Sequence, residues 1–357
     1  MSEIKLDPHS EAILQEYRDN LPAFEKLQAT VPEQIRAVFA ETGIVVASIE
    51  SRIKAEESLA GKLELKGTKY ASLADITDIF GVRIITFYTD DVDKVASVVD
   101  RLFDVDWDNS VDKRKLHEID SFGYLFLHYI CSVPDCPYRF EIQMRTILQH
   151  AWANMNHDTG YKSGVEVPKE YLRNMNRLAG MLELIDEQFS RIRTDINDYR
   201  RKVQSLVSSG HLEEVPLDGD SYRSFLKLAP FDKLNRRIAS VNQAEIQEVT
   251  LMPYLPVLRA LGFQTLGDVD QLIRDYSEAA YQIACYQISV TDLDILSSSV
   301  GPQNLCIAYL LKQGSGRAGI RLMLDTLNGP SEGNDMMAEY IMEQAKDLSF
   351  MHTKSEL

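Results

Sequence analysis

From Ser10 to about Glu41 apolar and charged residues alternate at helical spacing, which predicts a long helix with Pro32 as a break or a fresh first-turn position. GIVVASIESRI then shifts to β-branched residues with period-2 character and predicts a strand. KAEESLAGKLELKG returns to a short helix, stopped by Gly67. A brief helix around Asp75–Ile79 leads into a strand at Val82–Tyr88, whose Val, Ile, Thr, Phe and Tyr are all good strand formers. A helix from about Asp91 to Leu102 follows. DVDWDNSVDKRKLHEIDSFG reads as a polar loop before two strands, Tyr124–Val133 and Arg139–Met144, joined by the turn PDCP.

From Thr146 onward the pattern is helical. A long amphipathic stretch from about Lys169 to Leu206 carries Leu178, Met181, Leu182, Leu184 and Ile185 as apolar marks. VSSGHLEEVPLDGDS is the best linker in the chain, and residues after it are mostly helical, with a helix–turn–helix joint at GFQTLG, 262 to 267. The expected class is α+β: a mixed β-sheet flanked by helices in residues 1–208, a linker at 209–220, and a mostly α-helical C-terminal domain at 221–357.

Composition narrows this picture. The length, 357 residues, suits two domains, and 45% hydrophobic with 26% charged residues is ordinary for a globular chain. No run of about 18 apolar residues is present, so no membrane span is expected. The acidic N-terminus lacks an apolar signal region, and Cys131, Cys136, Cys285 and Cys306 form no C-x-x-C pair or zinc spacing. Reduced thiols and a cytoplasmic location are the expectation. The net charge is −16; residues 1–210 hold 26 Lys+Arg against 34 Asp+Glu (−8), and residues 211–357 hold 12 against 20 (−8). A broad nucleic-acid surface is disfavoured, which leaves room only for a local basic groove.

Candidate chemistry sits at strand ends. Lys62 and Lys66 are i,i+4 on one helix face, and Arg52 and Lys54 are i,i+2 on one strand face. Four converging cations call for an anion such as polyphosphate; spacing alone favours a solvated lysine face. Asp78 stands before the strand that begins with Val82 and Arg83. In FEIQMR, Glu141, Gln143 and Arg145 alternate with Phe140, Ile142 and Met144, giving one polar and one apolar face. Two carboxylates from neighbouring strand ends suit Mg²⁺, which takes oxygen ligands and substrate phosphates; a water-facing strand is the alternative. Tyr124, Phe126 and His128 share a strand face, fit either for stacking a base and contacting phosphate or for plain aromatic packing. The loop cluster DKRK, 112–115, is a phosphate clamp or a solvated run.

In order, R-x-K-x-x-x-S-x-x-x-K-x-x-x-K-G (Arg52, Lys54, Ser58, Lys62, Lys66), D-x-x-G-x-R (Asp78, Arg83), G-Y-x-x-L-H (Tyr124, His128), E-I-Q-x-R-T (Glu141, Gln143, Arg145) and H-x-W closely resemble the synthetase domain of the RelA/SpoT homologues, the small alarmone synthetases in particular. The matching residues run from Arg52 to Lys162. The resemblance implies a nucleotidyltransferase-like fold and a pyrophosphokinase that moves the β,γ-pyrophosphate of ATP to the ribose 3′-hydroxyl of GDP or GTP, with Mg²⁺. It implies Asp78 as metal ligand and Glu141 as a second ligand or activator of the acceptor hydroxyl. Arg52 and Arg83 would flank the adenine, Ser58 would join the ATP site, and Lys54, Lys62 and Lys66 would neutralise ATP phosphates. Tyr124 would stack on the acceptor base, with His128, Gln143, Arg145 and Lys162 completing the acceptor side.

Departures fall on that acceptor side. Leu125 and Phe126 stand where the family often has Arg and Ser, Phe122 replaces a common Asn, and Asn156 replaces a Glu. No upstream hydrolase set of histidines and aspartates is found, so a synthetase without hydrolase activity is expected. The rivals are a toxic relative acting on adenine nucleotides or the tRNA 3′-end, with the C-terminal region as fused inhibitor or sensor, and an inactive nucleotide-binding sensor. The acidic balance disfavours tRNA as partner. The helices after Thr146 are candidates for pairing copies of the chain into a homo-oligomer.

Overall fold

In the computed structural model, residues 6–112, 126–156, 169–288 and 293–352 are described. They fall into two units, residues 1–194 and 195–357.

Period-2 burial builds the sheet of the first unit. Along strand β5 (Cys136–Thr146), Tyr138, Phe140, Ile142 and Met144 are buried while Arg139, Glu141 and Gln143 are only partly so. Strand β2 (Phe80–Thr86) repeats this, with Phe80, Val82 and Ile84 buried. With β1 (Ser48–Ile53), β3 (Asp104–Asp112) and β4 (Leu127–Val133) they form a five-stranded sheet in the order β1-β2-β5-β4-β3. The β2–β5 pair is parallel and the others are antiparallel. The apolar rows pack against helices α1 (Pro8–Thr42) and α3 (Thr89–Leu102), through Phe24, Leu27, Val31, Ile35, Val95 and Val99.

Several elements differ from the sequence expectations, each for a local reason. Pro32 does not break α1. It lies buried inside one continuous helix beside Val31 and Ile35, where packing outweighs the lost backbone bond of about 3 kcal/mol or more. The brief helix expected at Asp75–Ile79 is a single 3₁₀ turn at Leu73–Asp75, closed by a Ser72–Asp75 capping box. Half of the expected polar loop is strand β3. It is an edge strand studded with Asp104, Asp106 and Asp108, and acidic residues on an edge discourage further pairing. The register slips between Asp106 and Val111, where the Asp106 carboxylate accepts from Asn109.

Helix α2 (Glu56–Lys66) ends at Gly67 as expected, and a Cβ there would meet Ser10 Oγ at 2.2 Å. Helix α4 (Ile147–Asn156) continues from β5. Helix α5 (Lys169–Ser209) runs past Thr194, where the two units divide, so the division falls inside a helix rather than at 208. The expected linker at 209–220 is packed structure: Leu212, Val215 and Leu217 are buried in the second unit's core.

That second unit contains α6 (Gly219–Leu226), α7 (Asp232–Ala239), α8 (Tyr254–Ala260), α9 (Leu266–Ile288), α10 (Val300–Lys312), α11 (Gly316–Asn328), α12 (Glu332–Ala345) and α13 (Ser349–His352). Its core centres on Tyr222, Phe225, Leu305 and Ile320. Two short parallel strands, β6 (Glu245–Gln247) and β7 (Ile295–Ser297), accompany the expected helices. The four cysteines are free, and no helix among the described residues is long and apolar enough to cross a membrane.

Phe140 is fully buried, with the Phe80 and Phe103 rings 5.6 and 5.5 Å away. Phe140→Ala is expected to cost about 3–5 kcal/mol. Urea denaturation of the full chain measures this, and a loss under about 1 kcal/mol would contradict the packing described.

Candidate active site

Strand register gathers the polar candidates onto one face of the sheet. Arg52, Gly81 and Glu141 lie in one cross-strand row; Glu50, Arg83, Gln143 and His128 lie in the next. The intervening rows, Val82 with Ile142 and Ile84 with Met144, belong to the buried face. Because the period is two, the strands that build the core must also present this polar face.

Asp78 lies two residues before β2. The chain is held there by Lys54 N–H donating to the Ile79 carbonyl at 2.8 Å, and the Tyr17 hydroxyl donates to the Lys54 carbonyl at 2.8 Å. This places the Lys54 ammonium 2.5 Å from one Asp78 oxygen, while Lys62, from α2, reaches the other at 2.7 Å. Burial pushes the Asp78 carboxyl up, but the two lysine hydrogen bonds and charges outweigh it and hold the group below the ordinary carboxylate range. Lys62 shifts the other way: burial lowers it, Asp78 raises it, and the net result is upward. Both shifts favour the ion pair.

Glu141 has its own partners. His128 Nδ1 lies 2.7 Å from Oε1, and the Gln143 amide donates to Oε2 at 2.9 Å. Burial and the charge of Asp78 raise the Glu141 carboxyl, while His128 and Gln143 lower it further, so it too lies below the usual range. Gln143 fixes several neighbours at once. Its Oε1 accepts from Arg145 Nη2 at 2.8 Å and from Arg83 Nε at 3.3 Å. Arg83 also pairs with Glu50 at 3.5 Å. Arg52, Asp78, Gly81, Arg83, Glu141 and Gln143 line a single cleft, and glycine at 81 keeps its floor open between Arg52 and Glu141.

The structure therefore brings together Arg52, Lys54, Lys62, Asp78, Arg83, His128, Glu141, Gln143 and Arg145. Ser58 and Lys66 are exposed on α2 and do not line the cleft. Tyr124 and Lys162 lie outside the described residues, as does most of the DKRK cluster. Phe126 stacks against His128 with ring centroids 4.2 Å apart, as their shared strand face requires.

Two residues without an expected role also belong here. Glu50 lies two residues before Arg52 on the same strand, so its face was readable. His150, in the first turns of α4, sits close enough to Arg145 and Arg83 that burial and these cations together lower it, against an opposing pull from Glu50. Its Nδ1 is buried without a hydrogen-bond partner among the described residues.

Residues 51–166 match the protein family described as a region found in RelA / SpoT proteins. GTP pyrophosphokinase YwaC of Bacillus subtilis (strain 168) is 30% identical over 157 residues, covering 42% of this chain and 74% of that protein. The chain belongs to the RelA/SpoT family. A second relative, GTP pyrophosphokinase YjbM of the same organism, is 25% identical over 157 residues, covering 42% of this chain and 73% of that protein. Among solved structures, small alarmone synthetase 2 from Bacillus subtilis is 26% identical, with TM-score 0.45, over 50% of this chain and 99% of that one. The RelA/SpoT segment contains the polar sheet face from Arg52 through Arg145, with Glu50 one residue before it.

Asp78 is depressed, so the lysine–aspartate contribution to stability is complete above the ordinary carboxylate value, about pH 4, and lost as pH falls through the lower folded value. In metal- and nucleotide-free protein, the stability gap between wild type and Asp78→Asn should be constant from about pH 5 to 7 and shrink below about pH 4. Urea titrations across that range test this; a gap undiminished at about pH 3 would contradict the ion pairing.

Proposed function

We propose that the first unit transfers the β,γ-pyrophosphate of ATP to the ribose 3′-hydroxyl of GDP or GTP. One observation carries this reading. In a RelA/SpoT-family chain whose relatives are GTP pyrophosphokinases, two carboxylates, Asp78 and Glu141, share one cleft with Arg52 and Arg83, and Lys54 and Lys62 bind Asp78.

Transfer of this kind needs alignment and charge neutralisation more than covalent chemistry. The new bond joins the acceptor 3′-oxygen to the β-phosphorus of ATP. The bond from that phosphorus to the α-phosphate oxygen breaks, and AMP leaves. Lys54 and Lys62 supply mobile positive charge for donor phosphates, and Arg52 and Arg83 offer flat cations to the adenine. Glu50 and Gln143 hold the Arg83 guanidinium on the cleft face.

Glu141 receives the proton of the acceptor hydroxyl. Its lowered pKa makes it a weak base, which suits a loose transition state that needs little nucleophile activation. Its larger contribution is position, since His128 and Gln143 fix both of its oxygens.

Mg²⁺ fits the donor set. Asp78 and Glu141 would hold it as hard oxygen ligands, and no group of three or more potential ligands exists among the described residues, so waters and phosphates would fill the remaining positions. When bound, the ion supplies charge neutralisation to the transferred phosphates. Tyr124 and Lys162 complete the proposed acceptor side by motif position, together with His128 and Arg145. The exposed Ser58 and Lys66 are assigned to the outer part of the ATP site.

Purified full-length protein is incubated with labelled ATP and, separately, GDP, GTP, AMP or tRNA, and products are separated by thin-layer chromatography. Pyrophosphorylated guanosine nucleotide is the expected product. A product formed only with tRNA or only with AMP would overturn the acceptor assignment. Asp78→Ala and Glu141→Gln should each lower transfer at least about 10³-fold, while ATP binding measured by calorimetry falls much less, because the lysines remain. Transfer persisting within tenfold of wild type in both variants would remove this cleft from the reaction.

A further inference from the structure

Every oxygen of the two cleft carboxylates is already engaged by the chain itself. Lys54 and Lys62 take one Asp78 oxygen each, at 2.5 and 2.7 Å. His128 and Gln143 take those of Glu141, at 2.7 and 2.9 Å. The two acids are close enough for the charge of Asp78 to act on Glu141. Neighbouring carboxylates of this kind draw a divalent cation between them. Here side chains of the protein cancel that draw.

The cancelling charges are not loose surface tips. The side chains of Lys54 and Lys62 are only 15% and 25% exposed. With Arg52 and Arg83 they outnumber the acids of the same cleft, Glu50, Asp78 and Glu141. A divalent cation arriving alone therefore meets like charge. It also meets too few ligands, since no group of three or more potential ligand residues exists among the described residues.

A polyphosphate reverses both conditions. It brings negative charge in excess, together with oxygens that ligate hard cations. An ammonium is a compact charge on a flexible stem, so it exchanges one anionic partner for another without rebuilding the site. Lys62 has a foothold for that exchange: its Nζ lies 5.3 Å from the centre of the Tyr70 ring. Tyr70 is itself tied to the first turn of α1, where His9 Nε2 donates to its carbonyl at 2.8 Å.

We propose that Lys54 and Lys62 are exchangeable counter-ions of Asp78, which close this carboxylate to a free divalent cation and open it when a polyphosphate draws them off. The cleft thus takes a metal–polyphosphate pair and refuses the metal alone. The role rests on the phosphate-binding reading of the cleft given above. By linkage it is reciprocal: metal and nucleotide each raise the affinity for the other.

Mn²⁺ is the probe, because electron paramagnetic resonance separates the free from the bound ion. For the full-length protein without nucleotide, the Mn²⁺ dissociation constant at Asp78 is expected to exceed about 1 mM. Lys62→Met and Lys54→Met should each tighten it at least about tenfold, because each leaves a half-buried carboxylate short of a counter-ion. Asp78→Asn added to either variant should abolish the gain. Lys62→Arg, which keeps the charge, should match wild type. Adding α,β-methylene-ATP, whose α–β bridge resists cleavage, should bring Mn²⁺ onto wild-type protein, read as a rise in water-proton relaxation that no pair of components gives. Wild type binding Mn²⁺ alone more tightly than about 1 mM, at a site that Asp78→Asn removes, would overturn the proposal. So would both Met variants binding it no better than wild type while circular dichroism shows them folded, or no rise in relaxation with the nucleotide. These titrations need no acceptor and no turnover, so their outcome is separate from that of the thin-layer assay.

Discussion

A carboxylate that is only one-third exposed stays ionised where cations compensate its lost water, and this constraint organises the head of strand β2. Two lysines serve one aspartate, so the group as a whole remains positive. Arg52 and Arg83 add two more cations on the same face, against Glu50 and Glu141. The fixed geometry comes from the backbone: the β1–β2 ladder is extended by the Lys54–Ile79 bond, which sets Lys54 beside Asp78 before any ligand arrives. A site with its cations already in place need not reorganise when phosphates enter, beyond releasing lysines from Asp78.

Most of this was legible because a strand's period is two. Once Phe140, Ile142 and Met144 are read as core, Glu141 and Gln143 must share the opposite face, and the same holds for Arg83 beside Val82 and Ile84. The spacing of Lys62 and Asp78 could not show their contact, since the end of α2 and two 3₁₀ turns intervene; the ordered family motifs implied one site for both, not their pairing. Glu50 was readable as a neighbour of Arg52 but carried no signal of its pairing with Arg83, because strand partners across β1 and β2 are a tertiary fact.

The misreadings share a cause. In β3, Asp104, Asp106 and Asp108 look like loop composition, yet an edge strand tolerates them because one side of its ladder faces away from the sheet. Leu212, Val215 and Leu217 lie among glycine, proline and acidic residues, which disguised their place in a core. Pro32 reads as a helix break by local propensity, and the buried row from Phe24 to Phe39 overrides it. In each case a local signal yielded to packing partners distant in sequence.

Charge distribution bears on which acceptor the cleft favours. The chain carries −16 overall, yet Arg52 and Arg83 line the cleft, and Lys54 just past β1 and Lys62 on α2 join them there through Asp78. Screening at physiological salt confines each field to about 8 Å. A mononucleotide fits within that distance of the cations and feels little of the acidic remainder. A long polyphosphate backbone extends beyond these cations on a chain with an overall excess of carboxylates, and each phosphate left without a cation forfeits the counterion release that drives nucleic-acid binding. On the function proposed above, the same cation cluster favours a short, highly charged ligand over a long one, which accords with a mononucleotide rather than a polynucleotide at this cleft.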